Sequence, residues 1–148
     1  MRIVVDSNIV FSALLKTKTV FGDVILNSAG AFDFFCPRYL IAEIQKHWPK
    51  LKQVSKLSDA ALNDSFTAIS EKIVPVDEKL ISRRVWRSTE KLMADIDVDD
   101  IAFVALARHL RAKLWTGDKK LLHALPRKGF SAIIATSEVR KIWLERTS

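Results

Sequence analysis

The run Ile3-Val4-Val5, stopped by Asp6, restricts the fold more than any other stretch of the chain. A strand with one wet face alternates apolar and polar residues; here three β-branched side chains follow one another instead. Such a strand is buried on both faces, as in a parallel sheet covered by helices. The rest of the chain alternates accordingly. Ser7-Asn8 offers helix-start chemistry ahead of Ile9, Val10, Phe11, Ala13, Leu14 and Leu15. A second helix is expected over Val20 to Ala29, ending at Gly30, and a second strand over Phe32 to Cys36. Pro37 fits the first turn of a helix carrying Leu40, Ile41, Ile44 and Trp48.

Helical spacing continues over Asp59–Ile69, after a cap at Ser58, and over Ser82–Met93. Between them Lys72–Val76 reads as a strand that Pro75 confines to an edge or an end. The clearest helix is Asp97 to Leu110, apolar all round from Ile101 to Ala107. Lys113–Thr116 is a strand, Gly117-Asp118 a turn and Lys119–Leu125 a short helix. Ser131–Thr136 and Glu138–Glu145 close the chain as strand and helix. The expected fold class is α/β: a three-layer α/β/α sandwich around a mainly parallel central sheet.

A chain of 148 residues suits one domain, residues 1–148. Its 49% hydrophobic content, with 4 Gly and 4 Pro, excludes disordered, collagen-like and low-complexity classes. The lone Cys36 cannot form an internal disulfide, which fits a reducing cytoplasm. No apolar run is long enough to span a bilayer, so no membrane association is expected. Charge is more telling. The net charge of +7 favours a polyanionic partner. Inside that basic chain, residues 92–107 hold four acids and no base: Asp95, Asp97, Asp99 and Asp100.

Open α/β sheets bind ligands at the carboxyl ends of their strands, where Asp6 and Asp118 stand. Each alone reads equally as a turn or cap residue. Asp100 shares a helix face with Phe103 and Val104, which makes its charge costly; it also suits the third position of a capping box begun by Asp97. Glu43, on the flank of Leu40, Ile41 and Ile44, is an ordinary solvated glutamate by itself. Other chemistries lack their residues. Cys36 has no activating motif, His47, His109 and His123 lack zinc-binding spacing, and no glycine-rich phosphate loop exists.

Four segments in order resemble the motifs of the PIN-domain family, small nucleases that include the toxins of many toxin–antitoxin pairs. They are Val4-Val5-Asp6-Ser7-Asn8-Ile9-Val10, Leu40-Ile41-Ala42-Glu43-Ile44, the segment from Asp97-Val98-Asp99-Asp100 through Ala107, and Trp115-Thr116-Gly117-Asp118-Lys119-Lys120. The resemblance implies a metal-dependent endoribonuclease, with Asp6, Glu43, Asp100 and Asp118 as catalytic metal ligands. Asp97 and Asp99 compete for the role of Asp100. Asn8 and Thr116 would support substrate or ligands, and Lys119 and Lys120 would contact phosphate near the scissile bond. Lys46, Lys50, Lys52, Arg83, Arg84 and Arg87 are candidates for remoter contact. Where some relatives carry a further acid after Asp118, this chain has Lys119, Lys120 and Leu121, leaving one metal ion or two open.

The implied cofactor is Mg²⁺ or Mn²⁺, because crowded carboxylates repel one another until a hard cation binds them. The implied partners are an RNA substrate, a cognate antitoxin and a second copy of the chain in a homodimer. Two other readings remain: a PIN-fold binding module without activity, and an Asp6-based phosphoacceptor or phosphatase. A phosphatase of the HAD type wants Asp where Asn8 stands, and a receiver domain wants its Asp after a middle strand.

Overall fold

The first strand, β1 (Arg2–Val5), has Ile3, Val4 and Val5 completely buried, as its unbroken β-branched run requires. The structure, a computed structural model, describes residues 1–16, 18–28 and 30–147. After β1 come α1 (Ser7–Leu15), α2 (Val20–Asn27), β2 (Asp33–Pro37), α3 (Tyr39–Lys46), α4 (Trp48–Ser55) and α5 (Asp59–Ser70). Then follow β3 (Ile73–Val76), a 3-10 turn at Glu78–Leu80, α6 (Arg83–Met93) and a second 3-10 turn at Val98–Asp100. The chain ends with α7 (Ile101–Leu110), β4 (Lys113–Trp115), α8 (Lys119–Arg127), β5 (Ile133–Ile134) and α9 (Thr136–Thr147).

The five strands form one sheet in the order β3-β2-β1-β4-β5, and every described pair is parallel. Val4 lies opposite Phe35 on one side and Leu114 on the other, so β1 is the central strand. Helices cover both faces. α1, α2 and α5 pack on one another, with α4 against α1 and α9 against α2; α7 crosses β1, β2 and β4 with α6 laid on it. The all-apolar character of α7 now has its cause: Ala102 through Ala107 are all buried between the sheet and α6. Burying a side chain such as Phe103 contributes roughly 2–3 kcal/mol. Arg108, near the end of α7, donates to Ser88 Oγ and Thr89 Oγ1, each at 2.9 Å, and ties the helix to α6.

Several elements differ from expectation for identifiable reasons. Pro37 ends β2 opposite Val76 and does not open a helix; Arg38 N–H continues the ladder to the Val76 carbonyl at 2.9 Å. The helix starts at Tyr39, whose N–H donates to Glu78 Oε1 at 2.8 Å. It does not run on through Trp48, because Pro49 has no N–H for the Gln45 carbonyl, and α4 begins anew. The segment Asp97–Asp100 is a tight turn before α7. Asp97 Oδ1 accepts from Asp99 N at 2.9 Å, and the capping box that would involve Asp100 is not made. The last strand shrinks to Ile133–Ile134, because Thr136 already starts α9 and takes the Trp115 indole N–H at 3.0 Å. α2 stops at Asn27; Ala29, the expected end, lies outside the described residues. Pro75 does lie on an edge strand, β3. No described helix is long and apolar enough to cross a membrane.

Candidate metal and catalytic site

From the central strand the chain builds β2 and β3 on one side, then returns to build β4 and β5 on the other. The connections leaving β1 and β4 therefore diverge, and a crevice opens at their carboxyl ends. Asp6 leaves β1 and caps α1; Asp118, three residues beyond β4, caps α8. Both caps also serve the site. Asp6 Oδ1 accepts from Ser7 N at 2.8 Å, and Asp118 Oδ1 from Lys120 N at 2.9 Å. Thr116 joins them: its fully buried hydroxyl donates to Asp6 Oδ2 at 2.6 Å and accepts from Asp118 N at 3.0 Å. One side chain thus sets the spacing of two acids that lie more than a hundred residues apart in the chain.

The third contribution comes from the turn before α7. Carboxylate oxygens of Asp97, Asp100 and Asp118 all lie within 4.8 Å of one another. Among the described residues, no cation pairs with any of the three, nor with Asp6. The consequences are electrostatic. Asp100 is pushed up to about 7, chiefly by burial, then by the charges of Asp6, Asp97 and Asp118 and by its side-chain hydrogen bond with Asp97. Asp6 is also raised by burial; the hydrogen bonds from Thr116 and Ser7 oppose the shift, and the Asp118 charge adds to it. This is an oxygen-only donor set with uncompensated charge, which suits a hard divalent cation. Asp97, Asp100 and Asp118 offer the ligand atoms, with Asp6 behind them.

The other expected residues are placed less uniformly. Glu43 is half-buried on α3 and pairs with His47 Nε2 at 3.3 Å, one turn along; it is outside the three-aspartate group. Asp99 is exposed and also outside it, although its carbonyl accepts from the Tyr39 hydroxyl at 3.4 Å. Asn8 is exposed in the first turn of α1, and Lys119 and Lys120 are exposed in the first turn of α8, next to Asp118. Thr116 is too deeply buried to touch a substrate; its hydroxyl is committed to Asp6 and Asp118.

Tyr39 belongs to the site and was not among the expected residues. Burial, followed by the charges of Asp100, Asp6, Glu43 and Glu78, drives its phenol well above the usual range. Its ring meets Phe103 edge-on at 5.7 Å. The only sequence signal was its position just before Leu40-Ile41-Ala42-Glu43. Cys36 is buried and its thiol is pushed up to about 12, mainly by burial, so it is no nucleophile. The middle-strand criterion for a phosphoacceptor is met by Asp6 after all. Yet Asp6 is 1% exposed, too enclosed for a bulky phosphodonor to approach in line, while the second lone pair of each hydrogen-bonded oxygen remains free.

A central parallel sheet with acids converging at its switch point defines an α/β protein with a carboxylate cluster of the kind that could hold a cation. The family model of the PIN domain matches residues 4–141, and the chain belongs to that family. A solved structure of similar fold is VapBC2 from Rickettsia felis bound to a DNA fragment from their promoter. The TM-score is 0.67 at 15% identity, covering 91% of this chain and 97% of that one. No curated protein matches in sequence.

Proposed function

We propose that residues 1–148 form one metal-dependent endoribonuclease domain, and that the protein is the toxin of a type II toxin–antitoxin pair. The observation that carries the nuclease reading is the convergence of Asp97, Asp100 and Asp118 within 4.8 Å, with no cation among the described residues paired to them. Family membership supports a nuclease, and the fold shared with a VapBC2 protein supports the toxin reading. A cognate antitoxin is then the expected protein partner, a homodimer the expected assembly and the cytoplasm the expected compartment.

Asp6, Asp100 and Asp118 are read as catalytic metal ligands, with Asp97 beside them and Glu43 as an outer member released from His47. Mg²⁺ or Mn²⁺ bound there supplies Lewis acidity toward a phosphoryl oxygen and acidifies a bound water. Thr116 is a positioning residue that holds Asp6 and Asp118 at fixed separation. Lys119 and Lys120 grip the phosphates flanking the scissile bond, and the exposed amide of Asn8 reaches substrate from the opposite helix start. Asp100, with its raised proton affinity, gives up a proton when the cation arrives.

The test is cleavage of single-stranded RNA by metal-free protein supplied with Mn²⁺ or Mg²⁺, beside Asp100→Asn. Cleavage should require the added ion, stop with EDTA and fall roughly 100-fold or more in the variant. Cleavage that persists in EDTA, or in Asp100→Asn, would falsify the assignment.

A further inference from the structure

On α6, Arg83, Trp86, Arg87 and Glu90 stand three, four and seven positions along the helix and so share one face. With Glu78 and Lys79 they line a cleft of about 440 Å³. Lys79, Arg83 and Arg87 are exposed, and none has a carboxylate partner among the described residues. The first turn of α6 holds no acid, so Arg83 and Arg84 lie against the helix dipole, which costs stability. These cations are therefore not there to support the helix. Trp86 is packed partly on the core and also lines the cleft, where Arg83 and Arg87 are its neighbours on the same helix face.

The cleft is linked to the acidic crevice by hydrogen bonds that run through Tyr39. Glu78, on its wall, holds Tyr39 N–H, and the Tyr39 hydroxyl reaches the Asp99 carbonyl in the turn that carries Asp97 and Asp100. Its wall residues Glu78 and Lys79 follow the end of β3, at the same carboxyl end of the parallel sheet as Asp6 and Asp118, two and three strands away.

We propose that this cleft is a nucleotide subsite of the nuclease. Trp86 stacks one unpaired base of single-stranded RNA, while Arg83, Arg87 and Lys79 hold its phosphates to one side of the cut. The charge fits a polyanion, and the aromatic ring beside cations fits a splayed base better than a duplex, whose bases stay stacked. Glu78 is occupied with Tyr39, and Glu90 at the far end can accept from a base amino group. The subsite rests on the nuclease reading, and its test is kept separate from cleavage.

Anisotropy of a labelled single-stranded RNA is measured with Asp100→Asn protein in EDTA, where no cutting interferes. Adding Arg83→Ala and Arg87→Ala should weaken binding roughly tenfold, and flatten the dependence of log affinity on log salt by about 1.4. Trp86→Ala should weaken it by roughly tenfold, while Trp86→Phe should retain most of the affinity. Thermal unfolding shows whether Trp86→Ala remains folded; the exposed arginine variant carries the test if it does not. Arg140→Ala with Lys141→Ala, on α9, removes equal charge elsewhere and should matter less. A duplex of equal length should bind more weakly than the single strand.

Unchanged affinity in the arginine and Trp86 variants overturns the subsite. Equal losses in the α9 control, or equal binding of the duplex, also overturn it. If these variants lose RNA while wild-type protein shows no metal-dependent cleavage, the nuclease reading fails and the RNA-binding cleft stands.

Discussion

Asp100→Asn should make the metal-free protein more stable while abolishing its proposed activity. The cause is the burial of Asp100, to which the charges of Asp6, Asp97 and Asp118 add, and together these push its pKa from 3.8 up to about 7. A three-unit rise corresponds to about 4 kcal/mol against the charged form, and partial water access reduces this to roughly 1–2 kcal/mol. The direction follows from proton counting. The unfolded chain releases this proton near its ordinary value, whereas the folded chain keeps it until about 7. Between those values the folded state binds more protons, so stability from this group falls as pH rises from about 4 to about 7. Asparagine cannot ionise and escapes the penalty. In EDTA near pH 8 the variant should melt roughly 3–6 °C higher than wild type, with the gap narrowing below pH 7 and closing near pH 4. Saturating Mn²⁺ should reverse the order by stabilising only the wild type. A variant that melts lower than wild type at pH near 8 in EDTA, or a gap that does not change with pH, would refute the electrostatic reasoning.

Other perturbations separate positioning from contact. Thr116→Val leaves Asp6 Oδ2 and Asp118 N–H without their partner and should cost about 2–4 kcal/mol in urea unfolding, with Thr116→Ser recovering most of it. Glu43→Gln should reduce Mn²⁺-dependent cleavage less than Asp100→Asn does, because Glu43 is turned toward His47 and outside the three-aspartate group; equal loss in both would show that Glu43 is a ligand of equal rank. Lys119→Ala with Lys120→Ala should raise KM for RNA and lower the salt slope by about 1.4, leaving thermal stability within about 0.5 kcal/mol of wild type. A salt slope unchanged by both substitutions would remove these lysines from the RNA path.

The features most legible in the sequence were those where local chemistry and tertiary demand coincide. Ile3-Val4-Val5 is apolar without alternation because helices cover both faces of β1, and Ile101–Ala107 is apolar all round because α7 is enclosed. Ser58 is a cap in sequence and in structure, accepting from Ala61 N, whereas Ser82, expected as the first helical residue, caps α6 by accepting from Val85 N. Strand order was not legible, since it depends on which strands meet after long crossovers; with it went the central position of β1. Pro37 misled because a proline suits both a first helical turn and a strand end, and only pairing with Val76 decides between them. In the site, Asp6 and Asp118 were visible as acids at strand ends. The promotion of Asp97 over Asp99 was not, because it depends on the tight turn, which brings Asp97 and Asp100 into the group and leaves Asp99 exposed. Tyr39 carried no charge to betray it, and Glu43 gave no sign that His47, one helical turn away, would take its carboxylate.

Calorimetric titration of Mn²⁺ into metal-free protein below pH 7, in two buffers of different ionisation enthalpy, bears most directly on the carboxylate site. Saturable binding with release of a proton is expected for wild type, and loss of both is expected in Asp100→Asn, with binding also lost in Asp118→Asn. Absence of binding to wild type, or binding that survives both substitutions, would contradict the assignment of the switch-point aspartates as a metal site.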